Sequence, residues 1–334
     1  MPRVLFLAVL AGLFALSLRA MASAPVYGPM LEGFDYPFEL QTLDLHSQRQ
    51  NLRMRYMDVR PAQPNGRVLV LLHGKNFCGA TWEDLARAMS DAGYRVVIPD
   101  QIGFCKSDKP GRYQYSLHQL AANTHALTQA LGLERIVLGG HSMGGMLAMR
   151  YALMYPQQLE RLVLINPIGL EDWLAKGVPY RTPDEWFARE LKTTAEGIRR
   201  YQRATYYDGQ WKPEYDRWVE MLAGMYAGDG RETVAWHQAL TAEMLTTQPV
   251  IHEIDRLRVP TTLLIGEKDN TALGKDAAPP EFAKTLGDYP RLAREAAARI
   301  PDATLVLFDD LGHSPHVQAP ERFHRELLQQ LAAD

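Results

Sequence analysis

Ile136-Val137-Leu138-Gly139-Gly140-His141-Ser142-Met143-Gly144-Gly145 is the stretch on which the reading of this 334-residue chain turns. A short apolar run of β-branched and leucine residues ends in Gly140-His141-Ser142-Met143-Gly144, a G-x-S-x-G pattern, and an apolar helical pattern then runs from Met143 to Tyr155. The five-residue pattern is weak by itself. Its place at a strand-to-helix corner is what the chemistry of a nucleophilic serine needs: glycines allow a tight turn, the Ser142 hydroxyl projects above the sheet, and the Met143 amide opens a helix beside it.

Working outward, apolar runs of the same kind recur. On the N-terminal side they are Val68-Leu69-Val70-Leu71-Leu72 and Arg95-Val96-Val97-Ile98-Pro99; on the C-terminal side they are Leu162 to Ile165, Thr262 to Ile265 and Thr304 to Phe308. Continuous rather than alternating apolarity predicts strands buried on both faces. Helical spacing fills the gaps at Trp82–Ala92, Leu117–Leu131, Tyr289–Ile300 and Pro320–Leu331, so the expected fold class is α/β, a mostly parallel sheet with helices on both faces. Looser alternation from Phe38 to Arg60 predicts two antiparallel edge strands joined near Ser47-Gln48-Arg49.

From Leu170 to about Val250 no buried strand is predicted. This region holds Trp173, Trp186, Trp211, Trp218 and Trp236, five of the six tryptophans. It reads as an inserted helical cap, residues 170–250, expected between the fifth and sixth parallel strands, with 23–169 and 251–334 forming the core. Trp173, Trp186, Tyr206 and Trp211 are candidates for contact with a hydrophobic substrate, because aromatic faces bury apolar area; the alternative is that the cap aromatics are mainly its own packing.

Composition narrows the remaining classes. A net charge of −3 carries no electrostatic footprint for nucleic acid, and two cysteines exclude a disulfide scaffold or a thiolate zinc cluster. The N-terminus has the form of an export leader: Met1-Pro2-Arg3, an apolar run from Val4 to Leu18, then small residues, with cleavage expected after Ala22. The expected location is periplasmic or secreted, without stable membrane insertion once the leader is gone; an uncleaved leader acting as an anchor is the alternative. Loss of Arg3 and Arg19 would bring the net charge to −5.

A serine needs a base, and the base needs a carboxylate to fix its tautomer. His313, in Leu311-Gly312-His313-Ser314-Pro315, follows the last strand, and Asp269, in Gly266-Glu267-Lys268-Asp269, follows the one before it, so both fall at the same sheet edge as Ser142. Glu267, Asp309 and Asp310 are the competing carboxylates; the other position for an acid, after Ile165, carries Asn166. The second oxyanion donor is expected in the loop His73-Gly74-Lys75-Asn76-Phe77-Cys78-Gly79, from the Lys75 amide with Asn76 as next candidate, alongside the Met143 amide. His316 has no carboxylate or cysteine spaced to complete a metal site, and no metal or other cofactor is expected.

At this point a resemblance is plain. Residues from about Phe38 to Leu331 resemble the α/β-hydrolase superfamily, in its capped, esterase-like branch, through His73-Gly74, Asp100-Gln101-Ile102-Gly103-Phe104-Cys105-Lys106-Ser107-Asp108-Lys109-Pro110, Gly140 to Gly145, Gly266 to Asp269 and Gly312 to Pro315. The resemblance implies a Ser142, Asp269, His313 triad acting on a small-molecule substrate, a hydrophobic ester or lactone. Dehalogenases and epoxide hydrolases of this fold use aspartate at the elbow, where this chain has Ser142. Proline iminopeptidases usually carry tryptophan where it has Met143. Carbon–carbon bond hydrolases, amidases or aminopeptidases, and non-catalytic binding proteins of the same fold are the alternatives. Cys105 stands where the family usually has glycine; its loop and that of Cys78 are expected at one sheet edge, which leaves open a Cys78–Cys105 disulfide or two separate buried thiols.

Overall fold

The computed structural model describes residues 25–332; the expected leader and its expected cleavage site lie outside them. Eight strands form one sheet: β1 (Leu40–Ser47), β2 (Gln50–Val59), β3 (Val68–Leu72), β4 (Arg95–Pro99), β5 (Ile136–His141), β6 (Leu159–Ile165), β7 (Thr261–Gly266) and β8 (Ala303–Phe308), in spatial order β1-β2-β4-β3-β5-β6-β7-β8. β1 and β2 pair antiparallel, as do β2 and β4, and every other neighbouring pair is parallel. Of the two strands expected at the edge, only β1 is there; β2 lies between β1 and β4.

Alternate residues of each central strand face opposite layers. Val70 and Leu72 of β3 join one core cluster with Val97, Leu138, Leu162 and Leu263, while Leu69 and Leu71 join a second with Val96, Val137, Val163 and Leu264. This two-sided burial is why the strands read as unbroken apolar runs. Helices α1 (Glu83–Asp91) and, at the far end of the chain, Pro320–Ala332 cover the second face; α2 (Leu117–Ala130), α3 (Met143–Met154) and Tyr289–Arg299 cover the first.

The helical insertion comprises α4 (Pro183–Glu190), α5 (Ala195–Thr205), α6 (Asp216–Ala227) and α7 (Arg231–Thr247). It joins β6 to β7, the fourth and fifth of the six parallel strands β3 to β8, not the fifth and sixth as expected, since only four apolar runs precede it. Its start is set by side-chain caps: Thr182 and Glu185 form a reciprocal capping box at α4, and Thr194 caps α5. Beyond β7, the chain adds the short α8 (Pro280–Ala283), then α9 (Tyr289–Arg299), the short α10 (Pro315–Gln318) and α11 (Pro320–Ala332).

The segment before β1 fastens the insertion to the core. Tyr27 N donates to Gly224 O of α6 at 2.9 Å, Lys106 Nζ to Leu31 O at 2.9 Å, and the Tyr36 hydroxyl to Asp100 Oδ2 at 2.6 Å. Asp100 also accepts from Gly79 N and Lys106 N, so it ties together the loops that carry Cys78 and Cys105. Those cysteines form a disulfide, Cα atoms 5.9 Å apart, across 27 residues of sequence. Closing a loop of that length restricts the unfolded chain by about 3 to 4 kcal/mol. The double variant Cys78→Ser/Cys105→Ser is expected to lose about that much in urea unfolding. Two free thiols in the unreduced wild type, counted by mass spectrometry, would contradict the bond.

Candidate active site

Ser142 sits between β5 and α3 with φ of 56° and ψ of −119°, a conformation that serine adopts only under constraint. The constraint is local crowding. A Cβ on Gly140 would lie 2.1 Å from the Gly144 carbonyl oxygen, and one on Gly144 would lie 2.1 Å from that of Leu72. Only glycine at both positions lets β5 turn into α3 this sharply, and the turn holds Ser142 at the carboxyl edge of the sheet.

The structure brings His313 and Asp269 together. His313 Nδ1 donates to Asp269 Oδ2 at 2.6 Å, with both side chains fully buried. The carboxylate also accepts from Asn166 Nδ2 at 2.9 Å and from Thr271 N at 2.8 Å. Asn166 in turn bonds Gly266 N and Gly266 O, which locks the turn after β7. In the sequence Asn166 is only the non-acidic residue after β6; in the structure its side chain ties the Asp269 carboxylate to the turn after β7. With Nδ1 engaged, His313 Nε2 is left buried and, among the described residues, without a hydrogen-bond partner.

The loop after β3 is fixed by His73. Its Nδ1 donates to Gly74 O at 2.9 Å and its Nε2 accepts from Gln101 N at 3.1 Å, so the ring is neutral and joins the loops after β3 and β4. Burial lowers its pKa from the ordinary histidine value. Among the described residues no main-chain carbonyl accepts from the N–H of Lys75 or Met143. The side chains beside those amides reach the insertion: Lys75 Nζ pairs with Glu190 Oε1 at 2.8 Å, and Asn76 Nδ2 donates to the Tyr206 hydroxyl at 3.0 Å.

Of the aromatic candidates, Tyr206 lies against the site, its ring centroid 4.8 Å from that of His313. Trp186 lines a cavity of about 430 Å³ with Lys75, Asn76, Tyr201 and Thr271. A neighbouring cavity of about 390 Å³ shares Asn76, Arg189, Glu190 and Tyr201 with it. Trp173 and Trp211 line neither. Trp173 Nε1 donates to Glu171, while Trp211 packs edge-on against Tyr207 and Tyr215, which stack on each other at 3.8 Å. Among the described residues no group of three or more His, Cys, Asp or Glu could hold a metal, and no helix is long and apolar enough to cross a membrane.

Residues 67–320 match the α/β hydrolase fold family. The chain belongs to that family. A crystal structure of a probable hydrolytic enzyme from Pseudomonas aeruginosa PAO1 superposes on this α/β hydrolase with a TM-score of 0.93 and 63% identity, covering 93% of this chain and all of that one. Lipase 1 of Psychrobacter immobilis is 27% identical over 262 residues, 76% of this chain and 73% of the lipase. A cis-3-alkyl-4-alkyloxetan-2-one decarboxylase of Xanthomonas campestris pv. campestris is 33% identical over 177 residues; the match spans 48% of this α/β hydrolase and 57% of the decarboxylase.

Proposed function

We propose that this α/β hydrolase cleaves the carboxylic ester of a small hydrophobic molecule, an open ester or a lactone, through an acyl-enzyme on Ser142. The observation that carries the reading is the His313–Asp269 pair: Nδ1 is committed to the carboxylate at 2.6 Å, so the unpartnered Nε2 is the basic nitrogen. As Ser142 Oγ bonds to the ester carbon, Nε2 takes its proton, through a hydrogen bond formed in the substrate complex. The carbonyl oxygen gains the negative charge and faces the amides of Lys75 and Met143. His313 then returns the proton to the departing alcohol, and a water activated by the same nitrogen releases the acid and restores Ser142.

The lipase relative supports an ester, and an oxetan-2-one is itself a cyclic ester. The leader read in the sequence places the reaction outside the cytoplasm, on a substrate met in the periplasm or medium. Labelling by a fluorophosphonate tests the reading directly: the wild type should be modified on Ser142, and Ser142→Ala should not. A series of p-nitrophenyl esters from acetate to decanoate should show a preference beyond acetate, given the aromatic insertion. Turnover of a vinylogous diketone with no ester turnover would move the assignment to carbon–carbon hydrolysis.

A further inference from the structure

Residues 75 and 76 are both tied by their side chains to the helical insertion, and by different helices. Lys75 Nζ donates to Glu190 Oε1 at the end of α4, and Glu190 Oε2 accepts from the Tyr226 hydroxyl of α6 at 2.8 Å, so the carboxylate is gripped from two sides. Asn76 Nδ2 donates to the hydroxyl of Tyr206, which directly follows α5.

Tyr206 also reaches the base. Its ring lies 4.8 Å from that of His313 and 5.5 Å from that of Phe77. The Tyr206 carbonyl accepts from Ser314 N, and the Thr205 carbonyl from His313 N, each at 3.4 Å. There is no slack at this seam: a Cβ on Gly312 would lie 2.5 Å from the Tyr206 carbonyl oxygen. One short piece of the insertion therefore touches the oxyanion loop on one side and the histidine loop on the other.

A lid needs only apolar packing to stay shut, yet here it uses a charge pair that is largely withdrawn from water, with side chains of Lys75 and Glu190 12% and 16% exposed. Such a pair costs desolvation and recovers it only when well placed, so it is a poor choice for adhesion alone. Its target is what distinguishes it. Backbone donors stabilise an oxyanion only if held within hydrogen-bond distance of where the charge develops, and a shift of about 1 Å costs up to about 10²-fold in rate.

We propose that Glu190 and Tyr206 are positioning residues of the hydrolytic site: they hold residues 75–76 so that the Lys75 amide stays aimed at the oxyanion, and Tyr206 also seats the His313 ring. This rests on the ester-hydrolase reading above. The insertion is then part of the catalytic apparatus as well as a wall for the substrate, and the site is complete only while the insertion is closed on the core.

The test compares full-length mature wild type with Tyr206→Phe, which keeps the ring on His313 and removes the acceptor for Asn76, and with Glu190→Ala and Glu190→Gln. Steady-state kinetics on p-nitrophenyl butyrate, the rate of fluorophosphonate labelling and Tm are measured for each, well below every melting midpoint. Tyr206→Phe and Glu190→Ala are each expected to lower kcat by about tenfold with KM within about twofold, because the lost contacts act on the transition state. Glu190→Gln, which can still bond Tyr226, should recover part of the loss. The double variant Tyr206→Phe/Glu190→Ala should fall by less than the product of the single effects, since both hold one loop. Variants that keep kcat, or whose losses lie in KM, overturn the inference while a labelled, active wild type leaves the ester-hydrolase reading standing. A wild type that neither labels at Ser142 nor hydrolyses the ester overturns both.

Discussion

Ser142→Ala and His313→Ala are each expected to lower kcat on a p-nitrophenyl ester by on the order of 10⁴-fold or more, with Asp269→Asn costing somewhat less. Without Ser142 there is no atom to carry the acyl group. Without His313 the hydroxyl keeps its proton, and the neighbouring His141 is a poor substitute, because burial and the adjoining imidazoles hold its pKa well below the ordinary histidine value. Asp269→Asn keeps the volume but can present N–H to His313 Nδ1, which would force the ring proton to Nε2 and turn the base into a donor. The losses should not multiply when variants are combined, since the three groups act as a unit. Near-wild-type turnover by purified Ser142→Ala would sink the assignment.

The three residues of that prediction were legible because each lies in a short local pattern at a strand end, and buried parallel strands announce themselves in the apolar runs. The side-chain contacts around them were not, because the partners are remote: Asn166 reaches Asp269 across 103 positions, Lys75 reaches Glu190 across 115, and Asn76 reaches Tyr206 across 130. No periodicity encodes such pairs. Asn166 left a trace all the same, as a polar residue directly after the apolar strand β6 with φ of 38°, a left-handed conformation that asparagine tolerates better than most side chains. The aromatic richness of the insertion was visible but ambiguous. Trp211, Tyr207 and Tyr215 serve its packing, whereas Tyr206, one position from Tyr207, touches His313. Composition cannot separate neighbours that pack on different partners.

Folding free energy is expected to drop by about 4 to 6 kcal/mol between pH 7.5 and pH 5.0, chiefly through imidazoles buried neutral, at about 1.4 kcal/mol per pH unit for each. His316 lies buried, stacked on Trp82 at 4.6 Å, beside His141 at 4.6 Å, and among the described residues neither of its nitrogens has a partner. Burial, with the neighbouring His313 and His324, pushes its pKa down to about 3 from the ordinary 6.5. Burial and the adjoining imidazoles hold His141 well below that value too, and burial with the Lys109 charge brings His237 down to about 4. These shifts lower the folded-state pKa of a base, so below pH 6.5 the unfolded chain takes up protons that the folded chain refuses. Stability from these groups is complete above pH 6.5 and is lost progressively as pH falls toward 3 to 4. Carboxylates held low by arginines, such as Glu253 beside Arg150, give up their contribution only at lower pH, so the histidines govern this interval. Urea unfolding at the two pH values measures the difference, and His316→Phe, which keeps an aromatic ring against Trp82, should shrink it by about 2 kcal/mol. Equal unfolding free energies at pH 7.5 and 5.0 in the wild type would show that these imidazoles are not buried as described.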